Sequence, residues 1–115
     1  MTQQNIIVNL TFDFALEIID FTEHIKGLKK FQLADQLFRS GTSVGANVSE
    51  AQNAESRADF IHKLKISAKE ADETHYWLRI CKASKHYPSN EKLLEDIESI
   101  QKVLSKIISS TKKNK

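Results

Sequence analysis

Residues 60–81 read FIHKLKISAKEADETHYWLRIC, and the spacing inside this stretch decides the architecture. Phe60, Leu64, Ser67, Ala71, Thr74, Leu78 and Cys81 follow an unbroken 4-3 alternation. That is the seam of an α-helix packed against neighbours at a shallow angle. Its middle is small (Ser67, Ala68, Ala71, Thr74), so a partner helix can come close there. Upstream, Ser56 with Asp59 three positions on has the form of a capping box and opens a helix over about 57–85. Downstream, KHYPSN (85–90) stops it at Pro88, and Ser89 or Asn90 can cap the next element.

Periodicity fills the rest of the chain. Leu93, Ile97, Ile100, Leu104 and Ile107 make one stripe of a helix over about 91–110. Leu10, Phe14, Ile18, Phe21 and Ile25 do the same over about 9–26, with Asn9 or Thr11 as the cap and Gly27 as a residue tolerant of positive φ at its end. Leu33, Leu37, Val44, Val48 and Ala51 mark a helix over about 28–53. Gly41 and Gly45 lie inside it and each costs up to ~1 kcal/mol of helix propensity relative to alanine, so close packing or a bend is expected there. Four amphipathic helices with short connections predict an all-α fold. The specific form is an up-and-down antiparallel four-helix bundle, one domain over 1–115 with 111–115 frayed.

Composition narrows the class. A chain of 115 residues, 40% hydrophobic and 28% charged, can bury a core without metal or disulfide staples. The one cysteine, Cys81, cannot form an intrachain disulfide and suits a reducing, cytoplasmic setting. Residues 1–8 do not have the form of a secretory signal, and no apolar run approaches the ~20 residues of a membrane span. A net charge of +2 lacks the basic excess typical of nucleic-acid binders.

Polar residues stand out on two of the helices. Arg39, Ser43, Asn47 and Glu50 form a stripe flanking the core stripe of the second helix, and Glu70 and Glu73 lie on the third. Together they predict a satisfied polar network held inside an assembly, in which Arg39 meets one of the glutamates. Ile66, Trp77 and Ile80 make a second apolar face on the third helix, beyond what a simple bundle core needs, and are read as a subunit interface. Lys26, Lys29 and Lys30 near the first turn, with Lys63, Lys65 and Lys69 on the third helix, are the candidate contacts for nucleic acid, expected to be weak and salt-dependent. Lys112, Lys113 and Lys115 read as a solvated terminus.

Chemistry-bearing motifs are sparse. Asp59-x-x-His62 and Asp72-x-x-His75 resemble di-metal elements, but they sit 13 positions apart on one helix, roughly 20 Å along its axis, and cannot share a site. His75 borders the core stripe and is expected to be hydrogen-bonded there, and Cys81 reads as a small core residue. GTSVG (41–45) lacks the length and lysine of a phosphate-binding loop. No catalytic residues, metal, cofactor, small-molecule substrate or membrane partner is expected.

Two blocks carry a resemblance. QLFRSGTSVGANVSEAQ (36–52) and KISAKEADETHYWLRI (65–80) resemble motifs of the four-helix-bundle family of proteins encoded in intervening sequences of bacterial 23S ribosomal RNA genes, which is related to accessory proteins of diversity-generating retroelements. Gly45 stands where a proline is common in that pattern, and Ala51 where a glycine is. The resemblance implies a homopentamer of bundles and, for the retroelement branch, binding to nucleic acid and a reverse transcriptase. It brings no catalytic residues. The favoured expectation is a non-catalytic, self-assembling bundle protein. The alternative is a nucleic-acid-binding accessory factor associated with a reverse transcriptase or ribosomal RNA.

Overall fold

The computed structural model describes residues 3–113. Four helices run in order: α1 (Gln3–Gly27), α2 (Phe31–Ala51), α3 (Arg57–Ala83) and α4 (Glu91–Lys113). Successive helices pack together and α1 closes on α4, while the backbones of the diagonal pairs stay apart, so the helices stand at the corners of a square. The result is an antiparallel four-helix bundle 49 Å long and about 22 Å across. Among the described residues there is no strand.

The core follows the stripes. Leu64, Ser67, Ala71, Thr74, Leu78 and Cys81 of α3 are buried, with Phe60 packed partly against them. All five stripe residues of α4, Leu93 to Ile107, are buried, joined by Leu94. Two caps form as expected. Ser56 Oγ accepts from the Asp59 amide at 3.0 Å, and Asn90 Oδ1 accepts from the Leu93 amide at 3.0 Å. The small seam of α3 is used for hydroxyl contacts: Ser67 Oγ donates to the Val44 carbonyl at 2.8 Å, and Thr74 Oγ1 lies 2.9 Å from Ser40 Oγ.

Several boundaries differ from the sequence expectation. Helix α1 starts at Gln3 rather than near Asn9, and α4 runs through Lys113, past the point where fraying was expected. Residues 1, 2, 114 and 115, with the tail's Lys115, lie outside the described residues. Extending α1 changes its inward face. Ile7, Thr11, Phe14, Ile18 and Ile25 are buried, whereas Leu10 is exposed. Thr11 can be buried because its hydroxyl donates to the Ile7 carbonyl at 2.7 Å, so it neither caps the helix nor needs water.

Between α1 and α2, Gly27 keeps helical geometry and Lys29 takes the left-handed conformation, with φ 64°. The Lys30 amide then donates to the Ile25 carbonyl at 3.1 Å and the Lys29 amide to Lys26 at 2.8 Å, the paired bonds of a Schellman cap. A lysine there carries a steric penalty that glycine does not. Lys29→Gly is therefore expected to stabilise the bundle by about 1 kcal/mol in denaturant unfolding. An unchanged midpoint would refute the cap assignment. Helix α2 accordingly begins at Phe31, and it ends at Ala51 rather than near Asn53.

Gly41 and Gly45 let α1 approach α2 closely. A Cβ at Gly41 would lie 2.8 Å from Ile18 Cγ1, and one at Gly45 would lie 3.0 Å from the Thr11 carbonyl oxygen.

Candidate functional site

The residues singled out in the sequence fall on three separate surfaces. On the outer side of the α2–α3 pair, the Arg39 guanidinium reaches both Glu70, at 3.1 Å, and Glu73. Trp77 Nε1 donates to the same Glu73 carboxylate at 3.1 Å. Partial burial alone would raise the Glu73 pKa, but the hydrogen bonds from Arg39 and Trp77 outweigh it and hold the carboxyl below its ordinary range. The other members of the predicted network lie elsewhere. Ser43 Oγ donates to the Arg39 carbonyl at 2.6 Å and Asn47 Nδ2 to the Ser43 carbonyl at 2.9 Å, so both satisfy their own helix. Glu50 is exposed and pairs with Lys63 at 3.4 Å.

The Arg39 side chain is 48% exposed in the single chain. Arg39→Ala is therefore expected to cost no more than about 1 kcal/mol in the monomeric bundle, as for a surface ion pair. Because the Glu73 pKa is depressed in the folded state, this contribution is present above the ordinary carboxylate range and is lost as pH falls through the lowered value. Melting wild type and variant side by side from neutral to acidic pH checks both points, the two curves converging in acid. A loss several-fold larger would mean that the cluster is buried in an assembly.

Ile66, Trp77 and Ile80 border this cluster on α3, and all three are half-buried in the single chain. Trp77 packs against the core and meets Tyr76 edge-on with ring centroids 5.3 Å apart. On α1 and α2 four large apolar side chains stand most exposed, Phe12 at 63%, Phe31 at 55%, Leu16 at 49% and Phe38 at 46%. Tyr76 beside Trp77 on α3 is exposed at 53%, and Leu28 in the α1–α2 connection at 47%. Phe12, Leu16 and Ile19 follow helical spacing on α1, and Phe31, Phe38 and Gly45 follow it on α2. Since Gly41 and Gly45 mark the α1-facing side of α2, these residues gather on the outer face of the α1–α2 pair. Sequence reading passed over them because three aromatic residues, dispersed over 27 positions, show no common face until the helix pairing is known.

The candidate lysines do not form one group. Lys26, Lys29 and Lys30 lie at the α1–α2 connection, where the Lys30 ammonium sits 5.9 Å from the centre of the Tyr87 ring. Lys63, Lys65 and Lys69 lie on the first half of α3, toward the other end of the bundle. Lys63 is paired with Glu50, and Lys65 lies beside Lys112 of α4. Elsewhere, Lys92 joins Glu17 of α1 and Asp96, each at 2.8 Å, and His75 Nε2 lies 3.0 Å from Glu98. Burial pushes the Cys81 thiol up to about 11, which suppresses its thiolate at neutral pH. Among the described residues no group of three His, Cys, Asp or Glu side chains converges as a metal site would require, and no helix is long and apolar enough to cross a membrane.

The architecture and its surfaces define the class first: an all-α, antiparallel four-helix bundle whose apolar residues are not all inside. A family model described as 23S rRNA-intervening sequence protein matches residues 3–106, and the chain belongs to that family. It is similar to a crystal structure of a protein of unknown function from the S23 ribosomal protein family of Bacteroides thetaiotaomicron VPI-5482. The similarity is 38% identity over 94% of this chain and 99% of that one, with a TM-score of 0.88. No curated protein matches the chain significantly.

Proposed function

We propose that the protein is a non-catalytic, cytoplasmic, self-assembling four-helix module, whose working form is a closed homo-oligomer. The observation that carries this reading is the outer face of the α1–α2 pair, where Phe12, Leu16, Phe31 and Phe38 stand exposed on a single bundle. Large apolar side chains grouped on one face of a soluble bundle mark an interaction surface, and aromatic residues are typical anchors of subunit contacts. The half-buried Ile66, Trp77 and Ile80 extend the apolar area on a second side. The resemblance to the intervening-sequence family supplies the number of subunits, five.

Size-exclusion chromatography with light scattering at tens of micromolar tests this directly. The expected mass is about 65 kDa, five copies of the 13.1 kDa chain. A particle that stays at 13.1 kDa across that range would overturn the reading.

A further inference from the structure

The chain is nearly neutral, but folding sorts its charge. Residues 60–69 of α3 and 99–113 of α4 pack alongside one another, and between them hold seven lysines and no carboxylate. Among the described residues only Lys63 finds an acidic partner, Glu50 of α2. A groove of about 460 Å³ runs between these segments. Lys65 and Lys112 stand at one end of it, Ser105 and Ser109 line the α4 side one turn apart, and Gln101 and Asp72 lie toward the other end. Gln101 Nε2 donates to Asp72 at 2.9 Å, so that amide is engaged by the carboxylate.

Lys65 and Lys112 line the same groove, and the neighbouring Lys112 ammonium lowers the Lys65 pKa, as expected of two like charges brought together. Among the described residues neither lysine has a carboxylate within ion-pair distance. A multiply charged anion between them would turn mutual repulsion into shared attraction. Lysine is a compact point charge with three donors, suited to phosphate oxygens, whereas the planar fork that selects a carboxylate belongs to arginine.

We propose that this groove binds a phosphate group, held between the Lys65 and Lys112 ammoniums with the Ser109 hydroxyl as a further donor. Ser105, Lys102 and Lys106 continue the same surface along α4, so a phosphate that belongs to a chain has a path to follow. Asp72 sits two turns beyond Lys65 on the same face of α3, ~10 Å away at 1.5 Å per residue, and its charge opposes the anion.

The test uses two probes at low ionic strength: inorganic pyrophosphate followed by NMR on labelled protein, and a single-stranded oligonucleotide followed by fluorescence anisotropy. Pyrophosphate is expected to give saturable shifts confined to the groove, with Lys65→Gln and Lys112→Gln each weakening binding on the order of tenfold. Asp72→Asn is expected to strengthen it several-fold, a gain that misfolding cannot mimic. Lys26→Gln, at the opposite end of the bundle, is expected to change nothing. If the phosphates belong to nucleic acid, the oligonucleotide ranks the variants in the same order. Its slope of log K against log salt then flattens by ~0.7 for each lysine removed. If only pyrophosphate ranks them so, the site takes a small phosphate ligand. Binding of both probes unaffected by Lys65→Gln and Lys112→Gln, or equally reduced by Lys26→Gln, would overturn the assignment, as would the absence of saturable binding to either.

Discussion

Gly41→Val is expected to lower the stability of the bundle by roughly 2–3 kcal/mol, the upper part of the range for overpacking a filled core. The nearest atoms to an added Cβ are Ile18 Cγ1 at 2.8 Å and Ile18 Cγ2 at 2.9 Å, both closer than Cβ contacts come. Ile18 is fully buried and branched at Cβ, so it cannot swing aside. The valine brings two more methyl groups into the same space. Helix propensity works in the opposite direction, by a fraction of the ~1 kcal/mol that separates glycine from alanine, and does not offset the clash. Gly45→Ala has the same sign for a different reason. Its new methyl would lie 3.0 Å from the Thr11 carbonyl oxygen, so the backbone of α1 itself must shift. Gly27→Ala is the control: nothing lies within 4 Å, and the propensity gain is expected to raise stability. Denaturant unfolding of the three variants checks the set. A Gly41→Val protein as stable as wild type would mean that α1 and α2 are not packed through these glycines.

Phe12→Ser combined with Phe38→Ser is expected to convert the assembly to a 13.1 kDa monomer while leaving the bundle's own melting nearly unchanged. Both rings are exposed in the single chain, so their loss costs its core little, within the ±0.5 kcal/mol usual for surface positions. In an assembly each would bury apolar area worth about 1.5–3 kcal/mol, and every subunit would lose it. Trp77→Ala separates the two surfaces. Trp77 packs on its own core and hydrogen-bonds Glu73, so its removal is expected to lower the single bundle's stability as well as any assembly. A double phenylalanine variant with the mass of wild type would move the subunit contact away from the α1–α2 face.

What the sequence showed and what it withheld follow the range of the interactions. The α3 seam and the α4 stripe are readable because they repeat at a fixed spacing along one helix, and burial follows them residue by residue. The face of α1 is less readable. Hydropathy favours Leu10 over Thr11, but a threonine hydroxyl that bonds to its own helix enters the core without an unsatisfied donor. Ile7 is buried as well, although the stripe read from the sequence starts only at Leu10. The polar cluster was half legible. Arg39, Glu70 and Glu73 announce themselves as charges beside a core stripe, but Ser43 and Asn47 have a nearer partner in their own backbone. The Lys65–Lys112 neighbourhood spans 47 positions and exists only once α3 and α4 are aligned. A tally of lysines along the chain therefore grouped Lys65 with Lys63 and Lys69, and with Lys26, Lys29 and Lys30, which fold to the other end.

The two hydroxyl contacts between α2 and α3 act as the wards of a lock. Apolar side chains grip almost equally well wherever helices are slid along one another, so a greasy seam alone tolerates several alignments. Slid by one heptad, Ser67 and Thr74 would no longer meet the Val44 carbonyl and Ser40; they would face Leu37 and Leu33 instead. The Ser67 hydroxyl would then lose the Val44 carbonyl and Ser40 its partner across the seam, while Thr74 would keep only the Glu70 carbonyl of its own helix, 2.8 Å away. Polar groups inside a helical seam give up some attraction in exchange for a single allowed alignment. That alignment fixes Arg39 opposite Glu70 and Glu73, so the surface chemistry of the bundle is set from within by two side chains that never reach solvent.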